Sequence, residues 1–443
     1  MDKREYLQLK SILIDGISQY GDTETRHMDA GDRKAELLYI KTLCDAAVIH
    51  RYIVSVFWEM KSLQEYGAYL SSFPNCEKGS HLQTATELIL RGFVAVFLDS
   101  ELYLFDAMKV ESSSISEATV EATIQGPQDA FNGNLLTEIS MVRRRYQSDA
   151  LQVELYKTGE LSKTNLAMLY DQNIVNQQAL EELRGKLDRV HAQLVQSAGE
   201  LQQNLSPKKF ALFPMIVVTE RPDRVVRFLS KGRIAVLVDG TPFAMLLPSI
   251  FSDFFTAMDD YVQMPVIGHF LKILRYIGFA FTVLLPALYV GTVSYNPEFY
   301  RVQLAFSIGA SRAAVPYASY LEVFFMLIMM EFLTEASIRL PKSIGPTATT
   351  VGGLILGQAA SQAGLISNIM IIIVAVVAVS NYVIPIIEMN FAVRVLKYFM
   401  VLFAAIGGLV GIVVGVVVLV FYLASLTSYG TPYVRMIRKG EDS

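Results

Sequence analysis

The chain holds few groups that could do covalent chemistry. Its five histidines (His27, His50, His81, His191 and His269) are scattered, and none forms an HExxH-like or nucleophile-paired cluster. Cys44 and Cys76 have no ligand-like neighbours, which argues against a structural zinc site or a disulfide framework. Asp99 and Asp239 each close an apolar run and read as turn residues sooner than as catalytic carboxylates. The pattern is not that of an enzyme, and it calls for no cofactor and no metal. A different chemistry is written into Arg339–Gly364, RLPKSIGPTATTVGGLILGQAASQAG. Thr347, Thr350, Gln358 and Gln362 make it polar, as in a segment that lines a pathway. Gly345, Gly352, Gly353, Gly357 and Gly364 keep the stretch slim. Pro346 suits a first helical turn, and nothing from Thr347 to Ala363 breaks a helix. Unpaired amides and hydroxyls are expensive in hydrocarbon, so such a helix must be wrapped by other helices or face water. The candidate pore or gate residues are Thr347, Thr350, Gly357, Gln358 and Gln362, with Glu331 and Glu335 just before them.

The neighbouring segments must hold that stretch. A membrane span needs about 20 apolar residues. Tyr276–Tyr295 passes, with Pro286 inside and Lys272 and Arg275 just ahead. Ile369–Ile387 passes, with Asn381 and Pro385 inside, and Phe399–Leu423 passes without a charge. Tyr317–Ile338 carries Glu322, Glu331 and Glu335, and the last two share a helix face. Either this acidic face lies in water at the interface, or it turns to a central pathway. Carboxylates are costly at membrane depth, which favours the first reading. Gly407, Gly411 and Gly415 recur every fourth residue and allow close helix packing, within or between chains. The basic clusters Lys272/Arg275, Arg339/Lys342, Arg394/Lys397 and Arg435/Arg438/Lys439 should all be cytoplasmic. Five simple spans cannot achieve that. An even number of passes can, with one polar segment re-entrant or interfacial.

Composition fits a mixed architecture. Hydrophobic residues make up 52% and mean hydropathy is +0.37, high for a soluble protein and low for a wholly embedded one. Residues 1–270 carry 27 Lys and Arg against 35 Asp and Glu, while residues 271–443 carry 11 against 7. An acidic soluble part argues against nucleic acid as a partner. The start, MDKREYLQLK, lacks the apolar core of a signal peptide, so the soluble part is expected in the cytosol with both thiols reduced.

Within the soluble part, Gly92-Phe-Val-Ala-Val-Phe-Leu-Asp99 returns as Gly232-Arg-Ile-Ala-Val-Leu-Val-Asp239. Each precedes a second apolar run (Leu102–Phe105, Phe243–Leu247), and Asp239-Gly240 is a hairpin signal. Two related α/β units are expected, at residues 1–125 and 126–265. A helical polytopic membrane domain of four to five segments should follow at 266–430, then a short basic tail at 431–443. Glu111–Thr123 reads as a linker. Gly126-Pro127 opens a predicted helix to about Tyr146, closed by Arg143-Arg144-Arg145. Those arginines either complement the helix dipole or contact anionic lipid or a partner. Gln152–Tyr156 and Asn165–Tyr170 read as strands and Gln177–Leu205 as a helical pair.

Several of these pieces together resemble the A-type subunits of the GerA family of spore germinant receptors. They are Thr219-Glu-Arg-Pro-Asp223, GRIAVLVDGTPF from Gly232, Leu284-Leu-Pro-Ala-Leu-Tyr289, Gly309-Ala-Ser-Arg-Ala-Ala-Val-Pro316, Glu335-Ala-Ser-Ile-Arg-Leu-Pro-Lys-Ser-Ile-Gly345, GLILGQAASQAG from Gly353, and Ser428-Tyr-Gly-Thr-Pro-Tyr433. They run in order over residues 210–433. The N-terminal half matches more loosely, through Gly126-Pro127, Phe131 and Arg143-Arg-Arg145. Gln125, Gln128, Ala118, Ala130 and Glu138 stand where the family has typical arginines, a proline, a glycine and an asparagine. The resemblance implies a multi-pass subunit in the inner membrane of a bacterial spore, with its large N-terminal region cytosolic. It implies a transporter-like B subunit and a lipoprotein C subunit as partners. It further implies oligomerisation into a nutrient-gated channel for monovalent cations that triggers germination. The alternative is a non-conducting membrane scaffold, or signal-amplifying subunit, that recruits other germination proteins through its cytosolic domain.

Overall fold

The computed structural model describes residues 3–79, 81–109, 116–121, 123, 125–190, 192–208, 210–341 and 345–435. His191, Lys342, Arg438, Lys439 and, of the expected Glu111–Thr123 linker, residues 111–115 and 122 lie outside the described residues.

The first unit opens with α1 (Lys3–Ile17) and the hairpin β1 (Thr23–Asp29) and β2 (Lys34–Ile40). Short helices α2 (Ala46–Ile49), α3 (Ser55–Glu59) and α4 (Leu63–Ser71) lead to β3 (Cys76–Lys78) and α5 (Leu82–Leu90). A second hairpin follows, β4 (Phe93–Leu98) and β5 (Glu101–Asp106). The sheet runs β1-β2-β4-β5-β3, with every pair antiparallel. β4 is apolar throughout because both faces of the sheet are covered. Val94, Val96 and Leu98 pack with α2 to α4, whereas Ala95 and Phe97 pack with α1 and α5.

A strap joins the units, with β6 (Ser116–Glu117) paired to β7 (Asp129–Ala130). The second unit then repeats the first. It has α6 (Leu135–Arg145), the hairpin β8 (Leu151–Thr158) and β9 (Thr164–Asp171), α7 (Gln177–Leu187), α8 (Ala198–Leu205), β10 (Val217–Thr219), α9 (Pro222–Leu229), and the hairpin β11 (Ile234–Val238) and β12 (Ala244–Leu247). Read from β8, its sheet order is β8-β9-β11-β12-β10, which is the first sheet strand for strand. The matched octapeptides are the central strands β4 and β11. Each follows a helix that stops at a glycine of positive φ, Gly92 at 105° and Gly232 at 72°, a conformation that side-chain-bearing residues rarely adopt. The helix expected from Gly126 begins only at Leu135. Residues before it are extended, and the Asn134 side chain caps the helix by accepting from the Thr137 N–H at 3.1 Å.

The three arginines lie in the last turn of α6, where they complement its dipole as expected, and each also finds a partner within the chain. Arg143 donates through two nitrogens to Asp22 of the first unit, at 2.9 and 2.7 Å, and both side chains are buried. Arg144 donates to the Lys109 carbonyl, and Arg145 pairs with Asp129. The triplet ties the two units and the strap together. Beside it the Gly21 N–H donates to the Val153 carbonyl at 2.9 Å, so the first unit docks on edge strand β8.

After α10 (Asp259–Val262) the chain becomes helical: α11 (Pro265–Ser294), α12 (Val302–Arg312), α13 (Ser319–Arg339), α14 (Gly345–Gln362), α15 (Asn368–Tyr382) and α16 (Ile387–Ala424). α11 and α16 are long and apolar enough to cross a membrane. The predicted run Ile369–Ile387 is not continuous. It ends at Tyr382, and Pro385, which cannot donate a helical hydrogen bond, sits in the link to α16. Phe399–Leu423 is not one span either. Gly408 (φ 58°, ψ −137°) breaks α16 into two arms. The arms fold against each other, because a Cβ on Gly411 would overlap the Phe403 carbonyl and one on Gly415 would lie 3.0 Å from the Met400 sulfur. The close approach these glycines allow is therefore within the chain. Gly407, by contrast, meets nothing within 4 Å. Gly411→Val should destabilise the hairpin by about 1–3 kcal/mol or more, as overpacking does. Thermal unfolding of the full chain in detergent checks this, and Gly407→Ala should leave the transition unmoved.

Polar contacts fix the direction of each helix. The foot of α11 is tied to the second unit by Arg275–Asp260, at 2.5 Å, and by stacking of Phe255 on Tyr276. Its far end meets the start of α13, where the Ser294 and Ser319 hydroxyls bond. α14 begins beside Ser337 and ends near Ala314, at the far end. α15 returns to pack Ser380 against Gly278. The first arm of α16 rises to Ala405, whose carbonyl accepts from the Tyr295 hydroxyl. The second arm descends to Tyr422, whose hydroxyl accepts the Leu212 N–H at 2.9 Å. The passes are even in number, so the chain leaves the bundle at the end where it entered. β13 (Thr427–Ser428) and β14 (Thr431–Pro432) then dock on the second unit, where Tyr429 and Tyr433 are buried and donate to the carbonyls of Leu205 and Pro214.

Candidate functional site in the helical bundle

α14 touches little of the bundle except α13. Gly352 and Gly353 lie against Leu333, where a Cβ would stand 3.5 and 3.8 Å from its methyl carbons. Their slimness seats α14 on that leucine. At about 100° per residue, Thr347, Thr350, Gln358, Ser361 and Gln362 fall on the side away from Leu333, while Gly357, one turn after Gly353, lies at the edge between the two sides. Thr347, Thr350, Gln358 and Gln362 are all exposed. Four of the predicted pore or gate residues thus share one outward face of one helix.

Glu331 and Glu335 do not join them. Glu331 reaches α16, where it accepts from Arg394 Nε at 2.8 Å and from Lys397 Nζ at 2.7 Å. Glu335 pairs with Arg339 of its own helix at 2.7 Å, in the open. Glu322 is fully buried among three other helical elements. It accepts the Ser367 N–H at 2.6 Å and the Tyr289 hydroxyl at 3.3 Å, and lies 3.3 Å from Arg312 Nε. The acidic residues of α13 therefore form no common face in water and no row along a pathway. Two of them are matched to cations on other helices, which is how a charge is kept in a low-dielectric interior. Their partners Arg312, Arg394 and Lys397 escaped sequence reasoning, which read Arg394 and Lys397 as markers of the cytoplasmic side. The available signal was the three-residue spacing of Arg394 and Lys397, which puts both on one helix face.

Thr219-Glu-Arg-Pro-Asp223 also acquires a physical role. All five N–H donors of Arg221 are used. They reach the carbonyls of Glu121 and Pro127, the Thr123 hydroxyl and both Asp223 oxygens, at 2.7–3.0 Å. Glu220 accepts from the backbone N–H groups of Val120 and Glu121. Thr219 donates to Glu121 at 3.1 Å, and Glu121 lies 3.3 Å from Arg224. Burial pushes the Glu121 carboxyl up, with Arg224 opposing. The motif clamps the strap over a cavity of about 320 Å³ bounded by Arg275 at the foot of α11 and by the α15–α16 link.

The other carboxylates singled out behave as turn residues. Asp239 accepts the Leu135 N–H at 3.3 Å and an Asn165 amide N–H at 3.5 Å. Cys44 and Cys76 are free thiols whose burial pushes them up to about 12 and about 11. Among the described residues no group of three His, Cys, Asp or Glu side chains is placed to hold a metal.

Comparison with known proteins adds an independent line. A family model described as "Bacillus/Clostridium GerA spore germination protein" matches residues 11–441. The chain is 33% identical over 433 residues to spore germination protein GerQA of Bacillus cereus, covering 96% of this chain and 87% of that protein. It is 30% identical over 440 residues to a Bacillus subtilis protein named "Uncharacterized membrane protein YfkQ", covering 97% and 85%. Among solved structures it is similar to the N-terminal domain of the A subunit of the Bacillus megaterium spore germinant receptor GerK3. That similarity has a TM-score of 0.41 and 22% identity, and it covers 55% of this chain and 94% of that domain.

Proposed function

Because the chain belongs to the Bacillus/Clostridium GerA family of spore germination proteins, we propose that it is the membrane subunit of a spore germinant receptor, and that copies of it surround a gated route for monovalent cations. One observation carries the reading: the polar face of α14 points away from the helix that holds it. In hydrocarbon those hydroxyls and amides would be costly to expose, so water or the same face of another copy must cover them. A ring of α14 helices satisfies both needs. It lines a route with Thr347, Thr350, Gln358 and Gln362, and Gly357 leaves the narrow part open. The even number of passes suits a bundle that spans the spore inner membrane with both α/β units on the cytosolic side. A transporter-like B subunit and a lipoprotein C subunit belong to the same proposal.

Potassium release from spores that carry this receptor alone tests it. Gly357→Trp should stop release on exposure to nutrient, while the protein still accumulates in the membrane. Gln358→Leu should impair release without preventing assembly. Normal release from both variants would overturn the pore assignment and favour a scaffold.

A further inference from the structure

We propose that a cavity at the foot of the helical bundle is a phospholipid headgroup site, and that Phe210 beside it enters the lipid. The proposal rests on the membrane reading above. The cavity measures about 580 Å³ and lies between the α8–β10 connection and the first turn of α16. Its two walls differ in chemistry. The α8–β10 side carries Gln203, Ser206, Lys208 and Phe210, and the α16 side carries Glu388 and Phe391. Phe210 is 100% exposed, beside Lys208 and Lys209 in sequence, and Phe391 is half exposed. A bare phenylalanine gains nothing in water, whereas burying its ring in lipid is favourable and neighbouring lysines can keep their ammonium heads in water.

The height of this segment is fixed by two contacts. The Leu212 N–H reaches the Tyr422 hydroxyl at 2.9 Å, and Lys208 Nζ reaches the Ser425 carbonyl at 3.3 Å. Both partners lie at the foot of the second arm of α16, and Glu388 and Phe391 lie in the first turns of the first arm. The cavity is therefore level with the ends of the apolar helices, where headgroups sit if the bundle spans a bilayer. Its charges select the headgroup. Lys208 has ammonium donors left for a phosphate, and Glu388 offers a carboxylate to a primary ammonium. The ligand class is a phospholipid that carries both, as phosphatidylethanolamine does.

Two measurements on the full chain test this. Trp58, the sole tryptophan, is first replaced by phenylalanine. Phe210→Trp is then placed in nanodiscs of phosphatidylethanolamine and phosphatidylglycerol, with lipids brominated near the headgroup or near the bilayer centre. Its fluorescence should be lost more with the shallow bromines than with the deep ones. Val417→Trp, on an exposed position of α16, should respond to the deep bromines. An unquenched Phe210→Trp beside a quenched Val417→Trp overturns the proposal and leaves the membrane reading intact. If neither responds, the membrane reading falls as well. Blue-shifted, unquenched emission that reverts on dilution would assign Phe210 to contact with a second copy and overturn the proposal. In the second measurement, phosphatidylethanolamine retained by the detergent-purified chain is counted by mass spectrometry. It should fall by one lipid per chain in the Lys208→Ala, Glu388→Gln double variant, and an unchanged count overturns the headgroup assignment.

Discussion

Arg143→Ala is expected to destabilise the protein by about 3–5 kcal/mol, the usual cost of removing one partner of a buried ion pair. The cost arises on the other side of the interface. Asp22 would stay buried in the first unit, with the Thr42 hydroxyl, at 2.6 Å, as its remaining side-chain donor. Trp58 lies in the first unit, so its fluorescence reports that unit during denaturation in urea. The midpoint should fall while the slope of the transition changes little. Arg143→Lys should recover only part of the loss, because a lysine cannot supply two donors in the fixed geometry of a guanidinium. Replacing Arg143 and Asp22 together by leucines should recover much more, since no bare charge is then left inside. An unchanged midpoint in Arg143→Ala would mean that the pair does not hold the two units together.

The second large effect depends on pH. Glu138 lies at the start of α6, fully buried. One of its oxygens accepts the Gly133 N–H at 2.9 Å, and the other has no hydrogen-bond partner. Burial, with a smaller contribution from nearby Asp239, pushes its carboxyl from the ordinary 4.5 up to about 8. The folded state thus holds this proton more tightly than the unfolded chain does. The corresponding stability is fully present below about pH 4.5 and is lost as pH rises through about 8. At 1.36 kcal/mol per pKa unit the whole effect is on the order of 5 kcal/mol. Glu138→Gln keeps an acceptor for Gly133 and cannot ionise. It should be more stable than the parent at pH 9, near parity at pH 4, and should lack the slope between. Urea unfolding at several pH values checks this. A slope that persists in Glu138→Gln would place the titration elsewhere.

Much of the architecture was legible because local chemistry and global fold agree. A Gly, an apolar run and an Asp-Gly turn specify a helix end, a buried strand and a hairpin wherever they occur, and they marked both units. Only a fragment of the repeat could be seen. The pairing of β8 with β9, or of β3 with β5, joins residues whose identities are set by packing rather than by a copied pattern. The polar face of α14 was also legible, since a helix of known period fixes which residues share a side.

Partners were not legible. Arg143-Arg-Arg145 read as cations complementing a helix dipole or meeting lipid or a partner, and the acidic residues of α13 looked like a face for water or a pathway. Which carboxylate meets which cation depends on distances between residues 63 to 121 positions apart, as for Glu331 with Arg394 and Asp22 with Arg143. Neither residue of such a pair carries a local signal of the other. The longest apolar run misled for a similar reason. Composition favours one span over Phe399–Leu423, but backbone freedom at Gly408 and the bare surface of Gly411 let it fold into two arms.

By itself the sequence determined the family, the division into paired α/β units and a helical bundle, and the helix whose polar face faces away from its support. These follow from periodicity and residue type, which act over one or two turns. The tertiary structure decided the direction and number of the passes through the bundle, the clamp that Arg221 closes on the strap, and the matching of charge pairs such as Asp22 with Arg143 and Glu331 with Arg394. Those follow from long-range contact, because desolvating a charge is tolerable only where the fold brings it a partner.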